Sequence, residues 1–421
     1  MASKWRRSPT CARAKQGAQF LFCSFLSTCV AQDFQQRGFL ETGATIYPQT
    51  APNDSGHIIG ESLFRYEASY KLRSWLRLSG SIDASFDTHQ QVDRALHLDW
   101  QDRSLQRPAL SAREFKATIS KGKFTAELGK QFIRWGKADI LNPTDRFAPK
   151  DFLTVTDTRF LPITAARFIY DTGTNSIDLV WQPRFTPSRT PLLNQRWTVL
   201  PDTITGIPLH DLGSQFPGRS SFGARWNHVG AGYEFSASFF DGFNSLPLFR
   251  GSNDPAPGTI DVQRFYPALR LYGADAAIPL RWFTIKTEAA YYTSPDKQQD
   301  EYVIYVMQFE RQIKELSLVA GYAGDEITSR TPTLQFSPEL GFARAILARA
   351  QYTIDANRTV ATDLALRQNG AGSLLRSTYS QTFGQHWRAT FGIVWIRGDP
   401  GDFLGQYHRN SYGLLALRYS F

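Results

Sequence analysis

Histidine and cysteine are the residue types best suited to acid–base, metal or nucleophilic chemistry, and neither forms a recognisable site in this sequence. Seven histidines are scattered along the chain, and the nearest pair of interest, His89 and His97, lacks a spacing typical of metal ligands. Nucleophile elbows, haem-attachment motifs and phosphate-binding glycine loops are missing. The sequence therefore predicts no catalytic residue, no metal ligand and no cofactor.

Charged residues between Gly129 and Asp151 form the most distinctive local pattern. The stretch reads GKQFIRWGKADILNPTDRFAPKD. Its Asn142-Pro143-Thr144-Asp145 run predicts a tight turn, because Asn and Asp side chains bond their own backbone and proline fixes φ. Basic and acidic side chains alternate, so ion pairs are expected to order the loop. Its candidate functional residues are Arg134, Lys137, Asp139, Asp145, Arg146, Lys150 and Asp151.

A second charged stretch, Pro183 to Arg219, is long, rich in proline and net basic. Its candidate residues are Arg184, Arg189 and Arg196. A basic loop that lines an opening favours anions or acidic sugars. The alternative interpretation is a solvated loop at the rim of the fold.

Alternation of apolar and polar residues predicts the elements that position these loops. In residues 76–86 one register is apolar or glycine throughout and the other is polar, which is typical of a strand with one apolar face. Eighteen such stretches occur, but 302–309 is apolar in both registers and 374–382 is weak, so sixteen strands is the alternative count. The candidates are residues 39–47, 63–70, 76–86, 115–120, 124–132, 163–170, 177–182, 222–228, 233–239, 266–274, 283–292, 302–309, 316–322, 342–352, 359–367, 374–382, 387–396 and 412–421.

The connections between these strands alternate between short and long. Short ones include 71–73, 121–123 and 383–386, whereas 88–110 and 136–162 are long. An up-and-down barrel in the outer membrane places tight periplasmic turns on one rim and long loops on the other. The sequence thus predicts an all-β fold, a transmembrane up-and-down antiparallel β-barrel of about 18 strands. Extraction without detergent would instead indicate a soluble secreted β-protein.

The beginning of the chain is typical of a secretory signal. Basic residues without an acid precede a short apolar run that ends near Ala31. The expected domains are a cleaved signal peptide, residues 1–31, and a barrel, residues 32–421. The alternative is a lipoprotein cut in which Cys29 is acylated. All three cysteines fall within residues 1–31, so the mature chain would contain none.

Cleavage would also change the charge. The five basic residues of the leader, removed from the formal net charge of +9, leave +4. This modest value gives little support for nucleic-acid binding.

The last strand candidate, 412–421, ends on Tyr419 and Phe421. A terminal aromatic after an alternating strand resembles the assembly signal of bacterial outer-membrane barrels, which implies recognition by the barrel-assembly machinery. This strand is expected to pair with 39–47 and close the ring. Membrane lipid and lipopolysaccharide would then surround the outer face.

Strand parity predicts which charges face the lumen. A water-filled interior needs charged residues of both signs, many of them in cross-strand ion pairs. The lumen candidates are Arg77, Asp83, Lys116, Arg225, Arg270, Lys286, Glu288, Arg349, Arg367 and Arg418.

The pattern GKQ…RWG…D…NP.D…P.D within residues 129–151 resembles one found in Gram-negative outer-membrane barrels of the DUF1302 type, which are similar in style to alginate-export and other porin-like proteins. That resemblance implies a channel whose loop 129–151 folds into the lumen. A cap that stiffens the extracellular rim is the alternative.

These observations favour a porin-like channel in the outer membrane for passive diffusion of small hydrophilic solutes, without enzymatic activity. Two other functions stay open. One is a scaffold barrel that holds a periplasmic or surface partner, and the other is an outer-membrane hydrolase that uses a loop histidine such as His210. The solute and assembly into a homo-oligomer are left open.

Overall fold

A computed structural model describes residues 33–199, 209–251, 260–331 and 336–421. The proposed signal peptide and its three cysteines lie outside the described residues, as do residues 200–208 of the basic loop. Among the described residues, no helix is both long and apolar enough to cross a membrane.

Eighteen long strands form one closed sheet. They are β1 (Phe34–Ile46), β2 (Ile58–Arg73), β3 (Leu76–Asp87), β4 (Leu110–Lys121), β5 (Phe124–Gln131), β6 (Ile163–Asp171), β7 (Asn175–Gln182), β8 (Ser221–Gly230), β9 (Tyr233–Phe243), β10 (Ala268–Pro279), β11 (Thr284–Thr293), β12 (Glu301–Ile313), β13 (Leu316–Ser329), β14 (Ala345–Asp355), β15 (Arg358–Arg367), β16 (Gly372–Phe383), β17 (Trp387–Gly398) and β18 (Tyr412–Ser420).

Each strand pairs antiparallel with the next along the chain, and β18 pairs with β1 to close the ring. Phe39 lies opposite Ser420, and Ile46 lies opposite Gly413. Closure leaves no barrel strand with an unpaired edge, as hydrocarbon requires. The predicted fold class, the strand number and the closing pair are confirmed.

The two registers of each strand face different surroundings. In β18, Leu415 is 48% exposed on the outer face, whereas Tyr412 is buried on the inner face. The same outward exposure of large apolar side chains recurs around the ring. This apolar outer face is built for a bilayer, and closed barrels of this kind belong to the bacterial outer membrane.

β12 and β16, the two weak candidates, are both full barrel strands. Residues 302–309 are apolar in both registers because the inner one, with Tyr302, Ile304 and Val306, packs in the hydrophobic core instead of facing water. An apolar inner register therefore indicates that something covers the lumen side of β12.

Short and long connections lie on opposite rims, as predicted. One rim carries tight turns, such as residues 74–75, 122–123 and 231–232. The beginning of β1 and the end of β18 lie on this same rim. The opposite rim carries the long loops and their small elements. These are the short strands Leu98–Asp99, Lys150–Asp151, Arg159–Phe160, Leu209–Gln215, Leu248–Gly251 and Ile260–Phe265, a helical turn at Pro338–Gly341 and a 3₁₀ turn at Gly405–Asn410.

Candidate pore constriction

Residues 132–162, which join β5 to β6, fold into the barrel and are called here the inward segment. They contact inner-face side chains of β7, β8, β10, β11, β12 and β16. Contacts on so many strands place the segment across the lumen rather than over its mouth.

Glu288 of β11 holds the first part of the inward segment. Its carboxylate accepts hydrogen bonds from the backbone N–H groups of Lys137 (3.1 Å), Ala138 (3.2 Å) and Thr144 (2.8 Å), and from the Thr144 hydroxyl (2.8 Å). The side chain is buried. One carboxylate therefore satisfies backbone donors that would otherwise be buried without partners.

Gly136 permits this approach. Its φ is +92°, and a Cβ added there would lie 2.7 Å from both carboxylate oxygens of Glu288. Any other residue would meet both a strained backbone and a clash with the group that holds the segment. The glycine of the RWG sequence is thus required by the geometry.

Polar contacts of neighbouring residues extend this attachment. The Lys137 ammonium lies 2.9 Å from Asp275 and 3.0 Å from Glu234, and Asp139 lies 2.8 Å from the Lys286 ammonium. Gln308 accepts a hydrogen bond from the Asp139 N–H at 2.8 Å. These charged side chains therefore find their partners on the barrel wall.

Aromatic packing fills the space beside these bonds. Trp135 and Phe147 meet edge to face at 5.2 Å, and Phe147 meets Phe240 of β9 at 5.1 Å. The Trp135 indole donates to Asp178 of β7 at 2.9 Å. The Asp145 carboxylate accepts from the Trp135 N–H at 3.1 Å, and burial raises the pKa of Asp145 against the opposing effects of this bond and of Arg134.

The predicted turn at 142–145 is present. Asn142 donates from its side chain to the Ala138 carbonyl, and the Asp145 N–H contacts the Asn142 carbonyl at 3.4 Å. The Pro143 carbonyl accepts from the Tyr292 hydroxyl of β11 at 2.5 Å. The turn thus faces the barrel wall.

Two ion pairs hold the later part of the inward segment. Arg146 contacts Glu339 at 2.6 Å, and Asp157 contacts Arg376 of β16 at 2.6 Å. Arg376 also donates to the Thr156 carbonyl at 3.1 Å. Burial alone would raise the pKa of Glu339, but Arg146 and Lys150 lower it. The segment is consequently attached on two sides of the ring.

A buried charge cluster joins the inward segment to two other long loops. Arg107 contacts Asp151 at 2.8 Å, and Arg189 lies 3.4 Å from Asp151 and 2.9 Å from Asp102. Lys130 contacts Asp102 at 2.6 Å. Burial by itself would raise the pKa of Asp151, yet the two arginines lower it to about 2. The carboxylate is thus held ionised by its neighbours.

The three candidate arginines of residues 183–219, Arg184, Arg189 and Arg196, occupy different environments. Arg189 is part of the charge cluster, and buried Arg196 contacts Asp54 at 3.3 Å, while Arg184 is exposed. Arg189 and Arg196 therefore stabilise the packing of the long loops. Of the three, only Arg184 presents its charge to solvent.

The lumen candidates lie on inner registers with one exception. Arg270 faces outward beside Tyr272 and pairs with Asp241 at 3.3 Å. Its neighbours along the strand, Leu269 and Leu271, are instead buried inside the barrel next to the inward segment. The predicted parity is inverted here because the lumen side of β10 is apolar at these two positions.

The other lumen candidates make cross-strand or loop contacts, apart from Arg77, which lines a cavity. The contacts are Asp83 with Arg65, Lys116 with Glu114 and Glu127, Arg225 with Asp275, Lys286 with Asp139, Glu288 with the inward segment, Arg349 with Asp363, Arg367 with Asp402 and Arg418 with Glu41.

The lumen contains three openings, two of which are lined in part by the inward segment. A polar cavity of about 820 Å³ occupies the lumen towards the short-turn rim and is lined by residues such as Arg77, Ser79 and Lys116. A cleft of about 130 Å³ lies on the β1–β3 side, and one of about 270 Å³, with Arg349 and Arg376, lies on the β13–β16 side.

Several residues of the constriction carried no local sequence signal. The inward segment contacts four residues that lie more than a hundred positions from it along the chain, namely Asp275, Gln308, Glu339 and Arg376. The signal available was indirect, since the apolar inner register of 302–309 indicated a covered lumen wall.

His210, the histidine suggested for hydrolysis, is two-thirds exposed and lies 2.9 Å from Asp261 on a small sheet outside the barrel. Over the described ranges, no group of three or more His, Cys, Asp or Glu residues is arranged to hold a metal ion.

Comparison with known proteins finds similarity in structure. No protein-family model matches the chain, and no curated protein matches its sequence. OccAB4 of Acinetobacter baumannii is 9% identical with a TM-score of 0.54, over 92% of this chain and 98% of that one. OccK3 of Pseudomonas aeruginosa is 11% identical with a TM-score of 0.53, over 93% and 96%. A BenF-like porin from Pseudomonas fluorescens Pf-5 is 10% identical with a TM-score of 0.53, over 93% and 98%. At identities this low, the similarity shows a shared fold and nothing more.

Proposed function

We propose that the chain is a porin-like outer-membrane channel through which small hydrophilic solutes diffuse passively. The inward segment carries this proposal, because it narrows the lumen without filling it. Its attachment to β11 and β16 leaves two clefts beside it, and a polar cavity of about 820 Å³ lies in the lumen towards the short-turn rim. Eighteen strands give a ring wide enough for an aqueous passage.

Solutes would pass beside the inward segment through the clefts. The larger cleft presents Lys150, Arg349 and Arg376 together with Asp139 and Asp363. Both signs of charge favour hydrated polar solutes over apolar ones. The cleft volumes, well below that of the cavity, support selection by size.

Planar-bilayer recording of the purified, folded protein tests the channel. A mature chain without cysteine would allow a matched accessibility test with Ser79→Cys, which faces the cavity, and Leu78→Cys, which faces lipid. A charged, water-soluble thiol reagent should reduce conductance of the Ser79→Cys variant and leave the Leu78→Cys variant unchanged.

If the folded protein gave no conductance steps, the proposal that it is a channel would be overturned. If a stoichiometric partner then co-purified with the barrel, the scaffold function would be favoured. Loss of a measurable hydrolysis on substitution of His210 would instead favour an enzyme.

Three further assignments belong to this proposal. The motif in residues 129–151 supports kinship with the DUF1302 type, and residues 1–31 would be removed by a signal peptidase. Recognition of the last strand by the assembly machinery is supported by its place in the closing pair. N-terminal sequencing of the membrane-inserted protein should begin at Gln32, and an acylated Cys29 would contradict that cut.

A further inference from the structure

Two arginines on the short-turn rim share one tryptophan. The guanidinium carbon of Arg281 lies 5.1 Å from the ring centroid of Trp282, and that of Arg311 lies 5.6 Å from it. Trp282 is 59% exposed in the turn between β10 and β11. The arrangement concentrates two positive charges at one exposed aromatic ring.

Neither guanidinium has an acidic partner or a hydrogen bond among the described residues. The adjacent acid, Glu310, faces the lumen and contacts Lys286 at 2.6 Å. By contrast, Arg358 on the same rim is neutralised by Asp355 at 2.6 Å. Two neighbouring like charges repel each other, so an anion between or beside them would be stabilised.

Arg311 lies on the lipid-facing register of β12. Tyr305, Met307 and Phe309 precede it on that register, each more than two-fifths exposed, whereas Val306 and Gln308 are buried on the inner face. The guanidinium is thus placed where the apolar belt ends and lipid head groups begin. Arginine and tryptophan both favour this boundary.

An apolar surface continues from the charges towards the middle of the membrane. Phe283 and Phe309 meet edge to face at 5.5 Å, and Ile278 is exposed beside them on β10. A charged upper part with an apolar strip below it matches the chemistry of a phospholipid rather than that of a free anion.

We propose that Arg281, Trp282 and Arg311 form a binding site for an anionic phospholipid. The phosphate of the head group accepts hydrogen bonds from the guanidinium groups, and an acyl chain lies along Ile278, Phe283 and Phe309. Because the rim of tight turns is periplasmic, the lipid belongs to the inner leaflet of the outer membrane.

Native mass spectrometry of the purified full-length barrel in detergent tests the site, with phosphatidylglycerol as the probe and phosphatidylcholine of the same chains as the neutral comparison. The Arg281→Gln/Arg311→Gln variant should bind phosphatidylglycerol about 30-fold more weakly than the wild type, and each single variant about fivefold more weakly. Arg358→Gln, a paired arginine on the same rim, is the matched control and should bind as the wild type does.

Heat-dependent migration in gels verifies that each variant is folded. If the double variant does not fold, the two single variants test the site in its place. Equal binding of phosphatidylglycerol by wild type and variants would overturn the site, as would an equal loss in Arg358→Gln. Competition by inorganic phosphate at concentrations equal to the lipid would mean a general anion site and would also overturn it.

Discussion

Single residues determine how closely the inward segment approaches the wall. Glu288 accepts hydrogen bonds from three backbone N–H groups, and Gly136 supplies the positive φ and the space that these bonds need. Neither residue can be replaced without leaving buried donors unpaired or moving the segment.

Gly136→Ala should destabilise the protein by about 1 to 3 kcal/mol, because alanine at this φ is strained and its Cβ meets the Glu288 carboxylate. The measurement is the thermal unfolding midpoint, followed with single-channel recording of the folded fraction. Gly218→Ala is the control, since nothing lies within 4 Å of its added Cβ. An unchanged midpoint and an unchanged channel for Gly136→Ala would show that the segment is not held as described.

Asp151→Asn should leave Arg107 and Arg189 without their shared anion and cost about 3 to 5 kcal/mol. The pKa of Asp151 is about 2 in the folded protein, below its ordinary value. Its stabilising contribution is therefore complete above about pH 4 and is lost as the pH falls towards 2. Limited proteolysis of the long loops should show protection at pH 7 in the wild type and cleavage at pH 7 in the variant.

The control for Asp151→Asn is Asp355→Asn, which changes an exposed acid on the opposite rim. It should leave the long loops protected at pH 7. If the wild-type loops became accessible already near pH 6, a group other than Asp151 would govern their order.

At the level of elements, the alternation of apolar and polar residues was sufficient to predict the barrel but not the constriction inside it. The alternation in residues 76–86 predicts both the strand and the inner face of β3 because a spanning strand meets lipid on one side and water on the other. This logic fails for Arg270, Leu269 and Leu271, since the lumen side of β10 is covered by the inward segment. Covering depends on contacts between distant parts of the chain, such as Thr144 with Glu288, which periodicity does not report.

Strand lengths differ for a related reason. Residues 63–70 were predicted as a strand, whereas β2 covers Ile58–Arg73. The pairing of β1 with β2 and of β2 with β3 continues beyond the alternating part, because backbone hydrogen bonds do not require apolar side chains. The hydrophobic pattern indicates only the part of each strand that meets lipid.

The closing pair gives Phe421 a defined place. Its N–H donates to the Gly38 carbonyl at 3.0 Å, its carbonyl accepts from the Gly38 N–H at 2.9 Å, and its ring stacks on Phe64 at 6.2 Å. Deletion of Phe421 should reduce the amount of barrel inserted in the outer membrane several-fold, measured by fractionation and by heat-dependent migration. Phe421→Tyr keeps the ring and should insert normally, and normal insertion of the deletion would count against the assembly role.

For the whole molecule, the attachment of the inward segment to opposite parts of the ring determines the width of the passage. Arg376 is the residue of β16 that holds residues 156–157, and this contact separates the 130 Å³ cleft from the 270 Å³ cleft. Arg376→Gln should release this part of the segment and raise single-channel conductance. If the lost positive charge also weakens anion entry, the rise should be smaller in low salt, where charges are least screened; if width alone is altered, the rise should be independent of salt.

Arg349→Gln provides the matched control, because it removes the same charge from the lining of the same cleft but its salt bridge is with Asp363 of the neighbouring strand. It should change ion selectivity with little change in conductance at high salt, where the loss of charge is screened. A rise in conductance for Arg376→Gln alone at high salt would therefore identify release of the inward segment as the cause. Equal conductance of both variants and the wild type under those conditions would contradict a constriction fixed by Arg376.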